Sequence, residues 1–594
     1  FSATLAISIT FFPFLFTVTG TTHDFLEYFP WTITISLGIS LLVAIFVIPV
    51  MQYVLIRKGI KQAQEERRLQ GKRERRSILD YVQTGYEKLL TTVFRFPKTT
   101  MGVALASIIG GVALFSTLPQ RMMPVAERDQ FAVEIYLPQG SPLEKTAAVC
   151  DSMEHILRRD PRVKSVTAFI GESSPRFHIV YAPNMPSKAY GQFIVNTVSN
   201  KATEALLDDY TNRYAFYFPE AYVKFKQLDF QVSEAPVEVR LIGDNLDELK
   251  QQAGKLTDYL HAQDGYLWVR TSFDEPLAGA KIELNPSEAG RLGIQKAMVS
   301  MGVAAELTGS NITTLWEGDY ALPVRIKPEN TKPVFGDVGD VQVSGLFGAS
   351  VPLRQVASIT PEWNEGQITH RIGMRTLSVF ADLKRDENVA AAYERLYRFM
   401  DEQIVPHLPA GVSYEYGGQP ELEAEIVVPM VKAIGMALII IFMILVFHCG
   451  KVSRATLIMS STLLSLFGAA FGIWALGIEF SVTAMLGIVG LIGIIVRNGI
   501  IMFDYLEKLR KEQGMTVRSA AFEAGKRRMR PIFLTSAAAS MGVLPMIISR
   551  SLFWSPLGTV IFFGTMISMI LVLTVLPVAY WLLFRKEDVT MISD

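Results

Sequence analysis

The chain has 594 residues, of which 50% are hydrophobic and 19% are charged, so it is too long for one domain and too apolar for an ordinary soluble protein. Its 57 basic and 57 acidic residues balance, and this zero net charge argues against a nucleic-acid partner. The two cysteines, Cys150 and Cys449, provide neither a disulfide framework nor a CxxC metal motif.

Hydrophobic runs recur along the chain at the length that a membrane requires. A hydrocarbon core of roughly 30 Å needs about 20 apolar residues per helix. The eight predicted spans are residues 1–19, 31–55, 100–118, 428–448, 453–476, 482–505, 531–549 and 556–584. We therefore predict an α-helical polytopic membrane protein. The roughly 310 residues between the third and fourth spans are mixed and charged, which is enough sequence for several soluble modules.

Lys and Arg are concentrated in three of the short connections. They occur in Arg57–Arg76, at Lys451 and Arg454, and in Lys508–Arg530. The positive-inside rule assigns these connections to the cytoplasm, and a single alternation of sides then satisfies every short loop. The large insertion is therefore predicted to lie outside, where its cysteine cannot reach the one at the inner end of the fourth span.

The two ends of the chain resemble each other. Phe1–Lys58 and Phe533–Lys586 each contain two spans joined by an aromatic-rich turn and closed by Arg-Lys, and Pro13 aligns with Pro545. Parallel duplication is common in transporters. Counterparts of the remaining spans and of the external domain are then expected before Phe1, so we predict that the chain is the C-terminal part of a longer protein.

The insertion contains three strand-helix-strand stretches, at residues 131–170, 237–271 and 376–416. Alternating apolar residues indicate the strands and a 3.6-residue period indicates the helices. Split βαβ modules of the ferredoxin-like kind fit this order, which predicts a large external α+β domain. A further insertion separates the second stretch from the third.

Aromatic residues are frequent in the first of these stretches and just after it. Phe169, Phe177, Tyr181 and Phe193 are the candidates for substrate binding, because a hydrophobic cleft between modules is lined in this way. For any single one of these residues, ordinary core and interface packing is the more common explanation. Met122 and Met123 are soft metal ligands by type, but adjacent methionines beside a span are more often packing residues.

The sixth span contains charged residues. Gly487, Gly490, Gly493, Arg497 and Asp504 fall within one arc of about 120°. Glycines on that face let a neighbouring helix approach closely, so the arginine is expected to face protein and to be functional. The alternative is an arginine that extends to the inner membrane surface.

A buried guanidinium needs an anion, and the only carboxylate within the predicted spans is Asp504, close to the cytoplasm. The partner of Arg497 is therefore expected on the missing half. In the seventh span, Arg528 and Thr535 share a face while Arg530 points away. Basic residues there also serve as a topology signal, and the threonine could simply bond its own backbone.

The motifs Val496–Tyr505 and Arg528–Ser536 resemble those of the resistance-nodulation-division superfamily, in particular the hydrophobe and multidrug type of inner-membrane subunit. The resemblance implies a proton relay at Arg497, Asn498, Arg528 and Thr535, with arginine where the family has lysine. Because arginine stays charged, proton uptake is then expected on carboxylates outside this chain.

The resemblance also implies a domain plan and partners. The implied segments are 1–55 as two spans of the first half, 56–99 as a cytoplasmic basic linker, 100–118 as a span, 119–228 as a porter module, 229–280 with 372–418 as a second porter module, 281–371 as a docking segment, and 428–584 as a five-span bundle. The implied assembly is a homotrimer in the bacterial inner membrane, with its large domain in the periplasm, a periplasmic adaptor and an outer-membrane channel. The proton-motive force replaces any cofactor, and no resident metal is expected.

The function that this resemblance implies is proton-driven efflux of amphipathic or hydrophobic compounds. The alternatives are heavy-metal efflux and a protein- or lipid-exporting relative. A membrane-anchored receptor or enzyme is the rival from another class. It predicts a catalytic constellation outside the membrane, and the sparse histidines, such as His178 and His370, show no informative spacing.

Overall fold

The fold is taken from a computed structural model, which describes residues 2–55, 78–230, 233–273, 276–327, 335–346, 348, 350–385 and 387–585. The helices are α1 Ser2–Ile9, α2 Pro13–Thr17, α3 Thr22–Val54, α4 Ile78–Arg95, α5 Pro97–Ser116, α6 Leu143–Arg159, α7 Asn200–Tyr214, α8 Leu246–Ala262, α9 Pro286–Leu292, α10 Lys296–Thr308, α11 Val389–Phe399, α12 Gln419–Cys449, α13 Val452–Leu476, α14 Val482–Gln513, α15 Val517–Ile548 and α16 Ser555–Phe584. The strands are β1 Gln130–Tyr136, β2 Val163–Ile170, β3 Tyr190–Thr197, β4 Tyr222–Gln227, β5 Val237–Ile242, β6 Tyr266–Thr271, β7 Leu277–Leu284, β8 Ser310–Glu317, β9 Tyr320–Ile326, β10 Gln342–Ser344, β11 Ser350–Pro352, β12 Ala357–Asn364, β13 His370–Arg371, β14 Met374–Leu383 and β15 Ser413–Tyr416.

Within the described residues, seven helices are long and apolar enough to cross a membrane, namely α3, α5 and α12 to α16. The sequence predicts eight spans, and the difference lies at residues 1–19. There the chain forms two short helices, α1 and α2, separated by a turn that immediately precedes Pro13. Proline lacks an N–H donor, and its ring crowds the carbonyl four residues earlier, which favours a break here. The aligned Pro545, by contrast, lies inside the continuous helix α15.

The segment 56–99, predicted as a linker, contains a helix. Residues 56–77, with most of its basic residues, lie outside the described part, but α4 follows and packs on the inner ends of α15 and α16. The Tyr86 hydroxyl donates to the carbonyl of Leu573 over 2.9 Å, and Arg530 pairs with Asp80 at 2.6 Å. Arg530 therefore points away from the candidate relay, as predicted, and binds α4.

The first external module is a four-stranded antiparallel sheet in the order β2-β3-β1-β4, with α6 and α7 packed against it. Its elements follow the order strand-helix-strand-strand-helix-strand. The capping residue Ser199 accepts a hydrogen bond from the amide of Ala202 over 3.2 Å and so begins α7. The apolar faces of both helices and the inner face of the sheet form one core.

The second external module repeats this strand order with elements that are distant in sequence. β14 pairs with both β6 and β5, and β5 pairs with β15, while α8 and α11 supply the helical side of the core. Between β6 and β14 the chain leaves the module and forms the segment predicted to serve in docking. That segment has its own small core and a projecting hairpin of β8 and β9.

Backbone hydrogen bonds join the first module directly to the membrane part. The amide of Phe480 donates to the carbonyl of Pro119 over 2.8 Å, and the amide of Arg121 donates back to Phe480 over 3.0 Å. The amide of Val482, the first residue of α14, donates to the carbonyl of Met122 over 2.9 Å. Met122 is buried in the apolar core of the membrane part, so it serves the packing role that the sequence analysis favoured over metal binding. The second module connects through α12, which continues from the sheet into the membrane without interruption.

Candidate functional site

The glycine face of α14 admits two different neighbours. A Cβ added at Gly493 would lie 3.2 Å from the Cα of Ile7, and one at Gly490 would lie 3.5 Å from the ring of Phe11, so α1 covers this stretch. A Cβ at Gly487 would instead lie 3.1 Å from a backbone carbonyl of α16. The predicted close approach is present, and the short helix α1 lies next to the turn of α14 that carries Arg497.

Arg497 is half-buried in α14. Its Nε and one terminal nitrogen, Nη2, are buried and have no hydrogen-bond partner among the described residues. In that same part of the chain, no ion pair joins Arg497 to a carboxylate. Asp504 instead contacts the Nε2 of His448 at 2.9 Å and is 56% exposed, consistent with a position at the inner membrane surface.

The other three candidates do not all meet. The Nδ2 of Asn498 donates to the Oγ of Ser536 over 3.3 Å, and its Oδ1 has no partner among the described residues. The guanidinium of Arg528 lies over the ring of Tyr505 at 4.4 Å. Thr535 is exposed, and its hydroxyl donates to a backbone carbonyl of its own helix over 3.1 Å, which is the plainer alternative left open by the sequence. The sequence analysis chose Thr535, but its neighbour Ser536 is the residue that contacts Asn498. Successive residues on a helix are rotated by 100°, so Thr535 and Ser536 face different neighbours.

A second polar cluster closes the inner end of the bundle. Arg454 pairs with Glu507 at 3.0 Å, the hydroxyl of Tyr580 donates to Glu507 over 2.8 Å, and Arg510 donates to that hydroxyl over 2.8 Å. All four side chains are largely buried. Sequence reasoning missed this cluster because the predicted span ended at residue 505, whereas α14 continues to Gln513.

Outside the membrane, a cavity of about 810 Å³ lies between the two external modules. Tyr136, Tyr181 and Tyr222 line it from the first module, and Trp268 and Arg270 line it from the second. Cavities of this size and mixed lining are typical of small-molecule sites. We call this cavity the intermodule cleft.

The four aromatic residues chosen from the sequence lie in different places. Tyr181 lines the intermodule cleft, and Phe177 packs against its ring at 4.8 Å. Phe193 is 0% exposed within the core of the first module, so no ligand reaches it in this conformation. Phe169 is half-buried on β2, outside the cleft lining.

The intermodule cleft contains a buried carboxylate that the sequence analysis did not identify. Glu134 is 3% exposed and accepts hydrogen bonds from the hydroxyls of Tyr136, over 2.9 Å, and Tyr181. Burial raises the pKa of both tyrosines, and the charge of Glu134 raises it further, so both phenols stay protonated as donors. The Nζ of Lys226 is 3.9 Å from the carboxylate. Across the described residues, no group of three or more His, Cys, Asp or Glu side chains is placed to hold a metal ion.

Comparison with known proteins identifies relatives along nearly the whole chain. Protein HelA of Legionella pneumophila is 24% identical over 604 residues, and the match covers 98% of this chain and 55% of that protein. The cation efflux system protein CzcA of Alcaligenes sp. (strain CT14) is 24% identical over 605 residues, with the same coverage of both chains. The cobalt-zinc-cadmium resistance protein CzcA of Cupriavidus metallidurans is 24% identical over 608 residues, again covering 98% of this chain and 55% of that protein.

Solved structures give the same result at the level of fold. A heavy metal efflux pump, crystal form II, superposes with a TM-score of 0.78 at 22% identity, over 98% of this chain and 57% of that one. The chain therefore spans about half the length of the relatives that it matches. A model described as the AcrB/AcrD/AcrF family matches residues 1–584. The chain thus belongs to the AcrB/AcrD/AcrF family of resistance-nodulation-division transporters.

Proposed function

We propose that the complete transporter couples proton entry to export of a substrate from the bacterial cell. Arg497 is the observation that carries this proposal, because a cation in a spanning helix with two unpartnered buried nitrogens requires an anion. A carboxylate from another part of the complete transporter would pair with it. When a proton neutralises that carboxylate, the guanidinium keeps its charge and the ion pair is lost. The pair then no longer holds α14 against the part of the transporter that bears the carboxylate.

Asn498, Arg528 and Thr535 complete the proposed relay around Arg497. Asn498 and Arg528 each have one buried polar atom without a partner in the described chain, so when α14 moves the Oδ1 of Asn498 can accept a new hydrogen bond and the Nε of Arg528 can donate one. Thr535 is already bonded within its helix and would have to exchange that bond. We propose that the transporter lies in the inner membrane with both external modules in the periplasm, and the basic short connections support this orientation.

The substrate is proposed to bind in the intermodule cleft as an amphipathic organic compound. Aromatic rings from both modules line this cavity, and rings offer apolar area that recognises organic molecules. The names of the relatives favour the alternative, export of heavy-metal cations. The relatives are 24% identical or less and the solved structures show the fold alone, so heavy-metal export is the second candidate.

Export assays in cells can separate the two substrate classes. We expect cells that lack their own exporters, when they produce the complete transporter, to accumulate several-fold less ethidium. Tolerance to cobalt, zinc and cadmium salts is expected to stay unchanged, and cells carrying the empty vector are the control. Raised metal tolerance with unchanged ethidium accumulation would establish the second candidate instead.

The hairpin of β8 and β9 is proposed to bind a second copy of the chain. Every residue of both strands is exposed, and Leu315, Trp316 and Tyr320 present large apolar side chains to solvent. Exposed apolar strands are characteristic of interaction surfaces, because they otherwise promote aggregation. This hairpin supports the proposed homotrimer, which would then bind the periplasmic adaptor and the outer-membrane channel.

Two charges placed on this hairpin should dissociate the oligomer. We expect the double variant Leu315→Asp, Trp316→Asp of the complete transporter to elute from size-exclusion chromatography with light scattering at the mass of one protomer, because buried unpaired carboxylates are costly. Ile372→Asp is the control, since Ile372 is 94% exposed in another part of the domain and its positive φ of 52° suits aspartate better than isoleucine. An unchanged oligomeric mass for the double variant would contradict the assignment.

A further inference from the structure

Trp268 has a backbone conformation that bulky residues avoid. Its φ is +40° within β6, and the pairing of β6 with β14 shifts register close by, between Phe380 and Asp382. Such a conformation is energetically unfavourable and persists only where the surroundings determine it. Of the non-glycine residues with positive φ in the described chain, Trp268 is the one that lines the intermodule cleft.

The contacts of Trp268 reach across the cleft. Its ring stacks on Tyr222 at 4.5 Å with an interplanar angle of 18°, and it lies 4.5 Å from the ring of Tyr136 at 36°. Both tyrosines belong to the first module, whereas Trp268 belongs to the second. The guanidinium of Arg270 lies 3.7 Å from the Trp268 ring and moves with the same strand. One side chain of the second module therefore engages two aromatic faces of the first.

One of the two tyrosine rings is held in place by its own module. The hydroxyl of Tyr136 donates to the buried carboxylate of Glu134 over 2.9 Å, and both residues belong to β1. The hydroxyl of Tyr222 instead donates to the buried carboxylate of Asp382 over 3.0 Å, and Asp382 belongs to β14 of the second module. If Trp268 withdraws with its module, the face of Tyr136 therefore stays where it is, and another planar group of similar thickness can stack on it.

We propose that Trp268 occupies the position that a planar aromatic ring of the substrate takes when the two modules separate. This inference rests on the proposed binding of organic compounds in the intermodule cleft. The substrate ring replaces one stacking contact by another, and Trp268 relaxes to an ordinary backbone conformation as it leaves. Trp268 is thus a specificity-determining residue that competes with planar substrates and leaves non-aromatic ones unaffected.

Substituting Trp268 should lower the KM for planar substrates alone. In proteoliposomes of the complete transporter, Trp268→Ala is expected to lower the KM for ethidium about three- to tenfold, the range that one aromatic pair is worth, with little change in kcat. The KM for dodecyltrimethylammonium, which has no ring, should not change. Trp363→Ala is the matched control, because Trp363 is 73% exposed in the docking segment. Trp268→Gly is a second variant, which accepts the positive φ if alanine impairs folding.

The outcomes distinguish this inference from the proposed function. A higher KM for ethidium in both variants would mean that Trp268 binds the substrate directly, and would overturn the inference. Equal shifts for ethidium and dodecyltrimethylammonium would indicate a generally loosened cleft and would overturn it too. If the unsubstituted transporter exports neither compound, the organic substrate class itself is wrong.

Discussion

Replacing Arg497 by alanine in the complete transporter is expected to abolish proton-driven export while leaving assembly intact. The guanidinium is the charge in α14 that our proposal pairs with a titrating carboxylate, so without it protonation of the carboxylate no longer breaks an ion pair that holds α14. We expect a loss of export rate of at least about a hundredfold, which corresponds to about 3 kcal/mol of activation free energy. Export driven by an imposed pH gradient in proteoliposomes measures it directly, and size-exclusion chromatography measures assembly.

Two further variants make the Arg497→Ala result specific. Arg497→Lys keeps a cation at the site and should restore part of the rate, although lysine lacks the planar fork of arginine. Lys508→Ala removes a cation that is 60% exposed on the same helix and should leave the rate unchanged. An Arg497→Ala transporter that still exports at the normal rate would show that this arginine only extends to the membrane surface.

Replacing Gly493 by leucine is expected to destabilise the membrane part severely. Even a single added Cβ would lie 3.2 Å from the backbone of α1, and leucine adds three more carbons behind it. Either α1 moves away from α14 or the side chain adopts a strained conformation, and overpacking of this kind costs about 1–3 kcal/mol or more. The expected result is a lower melting temperature in detergent, together with a several-fold lower yield of folded protein.

Gly435→Leu is the matched control for the steric effect. Gly435 also lies in a spanning helix, α12, but a Cβ there meets no atom within 4 Å, so leucine should be tolerated. Gly490→Ala should also be mild, because its Cβ would make only an ordinary contact with Phe11 at 3.5 Å. Equal stability of Gly493→Leu and Gly435→Leu would show that α1 does not pack on α14 in the complete transporter.

The sequence predicted elements best where one local rule determines them. The strands at residues 163–170, 237–242 and 266–271 are where alternation placed them, because each has one face on a core. The span predicted at 482–505 is present but continues to Gln513, since a helix does not end where the membrane does. At residues 1–19 hydropathy predicted a span, and the turn before Pro13 interrupts it.

The candidate sites were harder to predict, because they depend on contacts between distant segments. Glu134 and Phe131 lie on opposite faces of β1, because they are three residues apart in a strand. Alternation therefore predicts that Glu134 faces solvent, yet the loop that bears Tyr181 covers its side chain. Local periodicity gives the faces of a strand but not what covers them. Arg497 was identified because an arginine within a hydrophobic run is conspicuous in the sequence alone.

Backbone hydrogen bonds join residues 119–122, which precede β1, to residues 480–482 at the start of α14, so the two segments should move together. The strand that carries Glu134 begins at Gln130, eight residues after Met122, so a displacement of the helix pulls on the wall of the cleft through main chain alone. Such a joint does not depend on side-chain chemistry. Most substitutions leave these bonds intact, whereas proline at Arg121 or Phe480 would remove one of the three amide donors and weaken the connection.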